Sequence, residues 1–268
     1  MSSHYRFVLG HPRGIGTIAG FVLIAGIIAA LLTWSAGTLG LSLGELLNGL
    51  PWIGDLISRM FPPNWSFAQR LWQPVLETVQ IAVWGTLFGA LLALPLVWLG
   101  ARNLSPNRVV FHLTRQVFNL ARGINEIIFA LVFVAAVGLG PFAGILALSV
   151  HGAGMLGKFF AEQIEEADPG PIEALRATGA NALQTLVFGV LPQVLPGWIA
   201  STLYRLEVNL RTSTILGMVG AGGIGFELVS SLKLFQYQDT AVCVLVILAL
   251  VMAADYFSSR LRARILGN

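Results

Sequence analysis

The sequence contains little charge and almost no cysteine. Charged residues make up 11% of the 268 residues, whereas an average soluble domain carries about 25%. This scarcity excludes a soluble domain as the bulk of the chain. Together with 56% hydrophobic residues and a mean hydropathy of +0.77, it indicates a protein that is solvated mainly by lipid. The single cysteine, Cys243, excludes a disulfide framework and a cysteine-based metal centre.

The sequence also lacks a credible catalytic set, since it has neither G-x-S-x-G nor H-E-x-x-H. "GAGMLGKF" (152–159) approaches a phosphate-binding loop, but Phe159 replaces the required Ser or Thr. "GAGGIG" (220–225) fits a dinucleotide motif by letter, but it follows an apolar span. We interpret the first as close helix packing and the second as a tight turn of positive-φ glycines. For His151 a packed core role is favoured over a ligand or proton relay.

No stretch outside the apolar segments exceeds about 40 residues, so there is no room for a soluble catalytic domain. We therefore expect no catalytic residue, metal or cofactor on this chain. Energy for any transport must come from another chain or from an ion gradient. In so apolar a protein, the formal net charge of +3 indicates membrane orientation rather than nucleic-acid binding.

Apolar runs predict an all-α membrane protein with about six transmembrane helices. Each run is close to the roughly 20 residues that cross about 30 Å of hydrocarbon. The first follows His4, Arg6 and Arg13 and is either a signal peptide or, as we favour from its length, a retained signal-anchor. The external segment 41–71 contains Trp52, Trp65 and Phe67 and is predicted to be amphipathic and interfacial. The predicted spans are 17–34, 75–99, 117–139, 142–160, 195–217 and 240–257.

The basic residues are distributed unevenly between the two sides. With the N-terminus inside, nine fall on the cytoplasmic side and three outside, which is a positive-inside bias. This orientation places both termini, and the segment between spans four and five, in the cytoplasm. The cytoplasmic set is Arg6, Arg13, Arg102, Arg108, Lys158, Arg176, Arg260, Arg262 and Arg264, and the external set is Arg59, Arg70 and Lys233.

Two predicted spans carry polar residues that are costly to expose to lipid. In span three, four residues at spacings of 4, 3 and 4 are predicted to share one helix face, with Asn125 beside them. In span five, Glu207 and Arg211 are predicted to pair within the helix. The residues either fix helix packing or line a polar translocation path, and the path is favoured for the set as a whole. The candidates are Asn119, Arg122, Asn125, Glu126, Arg205, Glu207, Asn209 and Arg211, with Arg115 at the entrance of span three.

The cytoplasmic segment "DPGPIEALRATGANALQTLVFGVLPQVLP" (168–196) predicts two short helices between prolines. Pro171 suits the first turn of a helix over Ile172–Thr178, and Gly179 suits its end. A second helix, about Ala182–Val190, is expected to stop before Pro192. An exposed helix held between two spans can transmit the movement of a partner to the membrane bundle.

This segment resembles the cytoplasmic "EAA" loop of ABC-importer permeases, E-A-A-x3-G-x9-I-x-L-P. Glu173-Ala174, Gly179 and Leu191-Pro192 match the spacing, while Leu175 and Gly189 depart from it. "RGINEIIFALVFVAAVGLGPFAG" (122–144), "RATGAN…GVLPQVLP" (176–196) and "GMVGAGGIG" (217–225) are similar to the permease subunit of phosphonate importers. The similarity covers about 75–260, including the coupling loop 168–192. Residues 1–74 form the anchor and external segment, and 261–268 a cytoplasmic tail.

The resemblance implies a type I importer permease fold in the bacterial plasma membrane and import of phosphonate, phosphite or phosphate. It also implies a homodimer in membrane lipid, with an extracytoplasmic binding protein and two ATPase subunits that hold ATP and Mg. The expected ATPase-coupling residues are Glu173, Ala174, Arg176, Ala177, Gly179, Leu191 and Pro192.

We further expect Arg122, Asn125, Arg205 and Arg211 to provide a cationic, hydrogen-bonding lining for an oxyanion, with Glu126 and Glu207 moderating the attraction. The alternative is an ion-coupled secondary carrier for a small anion. Such a carrier has no need of the cytoplasmic loop. A third class is an intramembrane enzyme, but the sequence contains no credible set of catalytic residues for one.

Overall fold

The structure is a computed structural model that describes residues 15–266. All of its regular structure is helical, and no strand occurs in this range. The described chain divides into two compact units, one ending at Ser58 and one beginning at Arg59. The predicted boundary was at residue 74. His4, Arg6 and Arg13 lie outside the described residues, as does the end of the predicted tail.

The first unit contains two helices of different character. Helix α1 (Ile15–Thr38) is apolar around its circumference, and its described side chains are mostly exposed, as expected of a helix surrounded by lipid. Helix α2 (Leu43–Arg59) is amphipathic, with Leu46, Leu50, Ile53 and Ile57 recurring every three or four residues. The predicted amphipathic character is confirmed, and its interfacial location stays a prediction.

The centre of the second unit is formed by α4 (Trp72–Gly100), α7 (Pro141–Glu165) and α10 (Leu191–Leu216). Glycines permit close approach: a Cβ at Gly89 would lie 3.3 Å from the backbone of Gly152, and one at Gly154 would lie 2.7 Å from Ala121 Cβ. The predicted packing role of the glycines in 152–159 is therefore confirmed. A buried aromatic cluster of Phe160 and Trp198, with rings stacked at 4.7 Å, joins α7 to α10.

Predicted span three is not one straight helix. Helices α5 (Arg108–Gly123) and α6 (Glu126–Val137) meet at an angle of 86°, so the expectation that Arg115, Asn119, Arg122 and Glu126 share one helix face is wrong. The break has a local cause, because Ile124 and Asn125 are extended. The side chain of Asn125 accepts a hydrogen bond from the Ile127 amide at 2.9 Å and so caps α6.

The remaining elements connect and complete the bundle. Short helix α3 (Trp65–Ala68) leads into α4, and α11 (Ile224–Lys233) and α12 (Tyr237–Leu266) follow α10. The turn between α10 and α11 has positive φ at Gly220, Gly222 and Gly223, which confirms the predicted glycine turn. In the described chain, five helices are long and apolar enough to span a membrane, or six spans if the bent α5–α6 pair counts as one.

Candidate functional site

Two regions contain most of the predicted functional residues, and the first is the helical loop, residues 168–193. Helix α8 (Pro169–Ala177) begins with Asp168, whose carboxylate accepts from the Gly170 amide at 2.9 Å. Because this cap forms, the helix starts at Pro169 rather than at the predicted Ile172. Gly179, with φ of 82°, ends it as predicted, since the amide of Ala180 then returns to the Leu175 carbonyl at 3.2 Å.

The second half of the helical loop departs from the prediction. Helix α9 (Ala182–Thr185) has a capping box between Asn181 and Gln184. It then runs through a π-helical turn, Leu186–Val190, directly into α10. The expected stop before Pro192 is therefore wrong: Pro192 lies in the first turn of α10, where the wider π turn precedes it and a missing amide costs little.

Gln193 holds the two ends of the helical loop together, and sequence reasoning did not identify it. Its Oε1 accepts from the Asp168 amide at 2.8 Å, and its Nε2 donates to the carbonyls of Gly189 at 2.6 Å and Asp168 at 3.3 Å. A Cβ at Gly189 would lie 3.0 Å from Leu175 Cδ1. The two departures from the family motif, Leu175 and Gly189, thus face each other at a close contact.

The exposed face of the helical loop is suited to a protein partner. Glu173, Ala174, Arg176, Ala177 and Gly179 are exposed, whereas Leu191 packs against the core of α4, α7 and α10. Two apolar side chains that sequence reasoning missed, Leu183 and Phe188, are 67% and 68% exposed. Phe188 helps to line a groove with Leu175, Thr178, Gly179, Ala180 and Gln184.

The second region is the polar core, which comprises Thr78, Thr86, Glu126, His151, Arg205, Asn209, Thr212 and Ser213. Asn209 is fully buried, and its Nδ2 donates to Thr86 Oγ1 at 2.8 Å. Ser213 Oγ donates to the carbonyl of Thr78 at 3.2 Å. These bonds join α10 to α4, so Asn209 acts in helix packing in this conformation.

Glu126 lies at the junction of α6, α7 and α10. Its Oε1 accepts from Thr212 Oγ1 at 3.3 Å, and its Oε2 lies 3.6 Å from His151 Nδ1. That ring nitrogen is also 3.0 Å from the carbonyl of Ile124, at the bend between α5 and α6. His151 is thus the hydrogen-bonded core histidine that was predicted.

Arg205 is the least satisfied member of the polar core. It is 2% exposed, and its Nη1 lies 3.4 Å from Met155 Sδ, a weak acceptor. Its Nε and Nη2 atoms have no hydrogen-bond partner among the described residues. A buried cation with spare donors has a strong preference for an anionic or polar partner.

The other two charged candidates of span five pair with α12. Glu207 lies 2.8 Å from Arg262, with 14% and 24% of the two side chains exposed, and Arg211 lies 3.4 Å from Asp255. The predicted Glu207–Arg211 pair within α10 is therefore wrong, because each side chain finds an opposite charge on the neighbouring helix. Asn119, Arg122 and Asn125 are exposed in the single chain and stand apart from the buried residues of the polar core. No group of three metal-ligating side chains occurs in the described range.

Comparisons with known proteins place these features in context. Residues 85–267 match the family described as "Binding-protein-dependent transport system inner membrane component". The phosphite transport system permease protein PtxC of Stutzerimonas stutzeri is 44% identical, and the alignment covers 98% of each chain. The phosphate-import permease protein PhnE of Mycolicibacterium smegmatis is 41% identical over 81% of this chain and 41% of that protein.

Solved structures agree on the fold. A chain in an inward-facing structure of the MetNI methionine ABC transporter superposes with a TM-score of 0.62 at 24% identity. The superposition covers 73% of this chain and 95% of that one.

Proposed function

The chain belongs to the family of binding-protein-dependent transport system inner membrane components, and from this premise we propose that it is the translocation subunit of an ATP-driven importer of phosphorus oxyanions. The predicted fold, an all-α type I importer permease, is confirmed. The proposed cargo is phosphonate, phosphite or phosphate, and the support for it is the named activity of the similar proteins.

The observation that carries the energetic part of the proposal is the helical loop. Its α8 presents Glu173 and Arg176 to solvent, while Gln193 of α10 fixes the base of α8 by two hydrogen bonds to Asp168. A rigidly mounted, exposed helix transmits force, whereas a mobile loop absorbs it. We propose that α8 docks on an ATPase subunit, which holds ATP and Mg, and that closure of two such subunits moves α10.

In the proposed cycle, two copies of this chain form the membrane bundle. An extracytoplasmic binding protein delivers the oxyanion, the bundle alternates between outward and inward access, and ATP hydrolysis resets it. We propose that both termini lie in the cytoplasm, and the support for this orientation is the positive-inside bias of the basic residues. The proposed cargo contacts are Arg122 and Asn125, which are exposed at the α5–α6 bend, and Arg205, which has unused donors. Glu126 moderates the attraction of Arg205 for the anion.

An uptake assay with matched glutamate variants tests the energetic part. Glu173→Ala is expected to abolish ATP-dependent uptake because it removes the docking charge. Glu166→Ala changes an exposed glutamate just before the helical loop and is expected to retain uptake. Uptake that persists when the ATPase subunits cannot hydrolyse ATP would instead favour the ion-coupled carrier.

The cargo is tested separately by growth. A strain without other phosphorus importers is supplied with phosphonate, phosphite or phosphate as its sole phosphorus source. Growth on at least one source is expected to depend on this chain. Equal growth with and without the gene on all three sources contradicts the phosphorus-oxyanion assignment and leaves the ATP-driven mechanism untouched.

A further inference from the structure

A cavity of about 710 Å³ lies between the end of α4 and the start of α5, outside both regions described above. Its walls include Arg102, Arg108, His112, Arg115 and Glu165. It lies at the same end of the bundle as the helical loop, because Glu165 ends α7 directly before α8.

The walls of the cavity are held in place by hydrogen bonds. The Arg102 amide donates to Glu165 Oε1 at 2.6 Å, and Asn103 Nδ2 donates to the carbonyl of Ile164 at 3.1 Å. Asn107 caps α5 by accepting from the Val110 amide at 2.8 Å. The connection between α4 and α5 is therefore fixed against the end of α7, and the cavity is a built feature of the fold.

The charge in the cavity is unbalanced. Arg115 is satisfied by Glu165 at 2.8 Å and Glu162 at 3.3 Å. Arg102 and Arg108 have no acidic partner within 4 Å in the described chain, although both open onto the cavity. Guanidinium groups bind phosphate by paired, charge-assisted hydrogen bonds. The chemistry that fits is therefore a phosphate-bearing anion.

Beside the face of α5 that lines the cavity, the helix exposes an apolar stripe, and this stripe favours a lipid over a free anion as the occupant. Val109 and Leu113, which follow Arg108 and His112 in the sequence, are 67% and 62% exposed. Val117 and Leu120 extend the same stripe along α5 at 51% and 65% exposure. A soluble phosphate gains nothing from this stripe, whereas an acyl chain can lie along it.

We propose that this cavity binds the headgroup phosphate of an anionic phospholipid. Arg102 and Arg108 contact the phosphate, and an acyl chain packs along Val109 and Leu113. The proposal rests on the membrane location of the family and not on the cargo or the energy source. Glu165 connects the cavity to the helical loop. It accepts hydrogen bonds from the Arg102 amide and from Arg115, and it lies three residues before Asp168, which caps α8.

Native mass spectrometry of the full-length chain in detergent tests the proposal, with titration of dioleoyl-phosphatidylglycerol against dioleoyl-phosphatidylcholine. The double variant Arg102→Gln/Arg108→Gln is expected to bind phosphatidylglycerol about tenfold more weakly, because each arginine near an anionic headgroup contributes to its affinity. Arg260→Gln/Arg264→Gln removes the same charge from exposed positions on α12 and is expected to bind like the unmodified chain. Phosphatidylcholine, whose choline cation offsets the charge of the phosphate, is expected to bind weakly to the unmodified chain and to both variants.

Several results would overturn the proposal. Equal weakening in both double variants would mean that net charge alone attracts the lipid. Displacement of phosphatidylglycerol from the unmodified chain by millimolar inorganic phosphate, with no effect in the cavity variant, would identify a free anion as the occupant. Unchanged lipid binding with lost retention of ATPase subunits would assign the cavity to that interface. Arg102→Lys/Arg108→Lys keeps the charge and is expected to retain most of the lipid binding, which controls for misfolding.

Discussion

The helical loop and the polar core differ in how far apart their hydrogen-bond partners lie along the chain. In the helical loop, the Asp168 side chain accepts from an amide two residues later in the sequence, and Asn181 and Gln184, which bond to each other, are three residues apart. In the polar core, Asn209 bonds to a residue 123 positions away, and Ser213 to one 135 away. The caps of the helical loop are therefore specified by local sequence, whereas the polar core is specified by assembly of the bundle.

The two regions are also expected to differ in their contributions to the stability of the protein and to uptake. Helix α8 of the helical loop is exposed, so its outward-facing side chains contribute little to stability and are available to a partner. The polar core is buried, so its side chains join helices in the conformation described here. The comparison therefore predicts that loop variants lose uptake with unchanged stability and that core variants lose stability first. Two of the four predictions below test this division directly, and the other two extend it to the ion pairs between α10 and α12.

The largest effect is expected at the Glu207–Arg262 pair, which joins α10 to α12 at 2.8 Å. Glu207→Ala leaves a half-buried guanidinium without its partner, and such single removals cost about 3 kcal/mol. We expect a lower midpoint of thermal unfolding for the purified chain. The charge swap Glu207→Arg/Arg262→Glu should recover part of the loss, and no recovery would mean that the pair is not a direct contact.

The second effect concerns Gly179, where φ of 82° disfavours any side chain with a Cβ. Gly179→Ala is expected to strain the end of α8 by about 1–2 kcal/mol and to reduce uptake, while the unfolding midpoint of the whole bundle changes little. Gly49→Ala, at an α2 position with no heavy atom within 4 Å of the added Cβ, is the matched control. If Gly179→Ala lowered the unfolding midpoint as much as Glu207→Ala does, the expectation that loop variants keep the stability of the bundle would be wrong.

A smaller effect is expected at Asn209. Asn209→Leu removes the interhelical bond to Thr86, and such bonds between membrane helices contribute about 0.6–1.7 kcal/mol. The unfolding midpoint should fall modestly. Asn119→Leu changes an exposed asparagine on α5 and should leave the midpoint unchanged. Equal stability loss in both variants would show that burial does not separate the two positions.

The smallest effect is expected at Arg211 and Asp255, which lie 3.4 Å apart with 56% and 50% of their side chains exposed. Asp255→Asn should change the free energy of unfolding by less than about 1 kcal/mol, because exposed ion pairs contribute little. A destabilisation as large as that of Glu207→Ala would indicate that a second copy of the chain covers this pair.

Much of the fold follows from the sequence. Apolar runs located five long helices, and the end of α8 at Gly179 was predicted correctly, whereas its start at Pro169 and the continuation of the chain through Pro192 into α10 were not. The break between α5 and α6 was missed, although Asn125 is a common helix cap. The missed signal is the dipeptide Ile124-Asn125, which resembles continuous helix when only hydrophobic spacing is considered.

The site was predicted less completely than the fold. The polar residues of the membrane helices were singled out by type, whereas the hydrogen-bond and ion-pair partners that the structure gives them were not predicted. Gln193 was missed because a glutamine after Leu-Pro has no distinguishing local pattern. Glu207 and Arg211 were paired with each other because their spacing permits it, and α12 offered each a partner that the sequence does not place beside them.

The amino-acid sequence alone was sufficient to predict a helical membrane protein with a capped helical loop that matches the importer motif. Hydrophobic periodicity, helix caps and positive-φ glycines depend on residues that are neighbours in the chain, so they can be predicted from a short stretch of sequence. Which polar side chains are packed and which are exposed could be read from the folded bundle alone. That outcome depends on helices more than 80 residues apart, as for Glu126 and Thr212, and on the angle at which α5 meets α6. Burial and pairing of charge are properties of the assembled bundle.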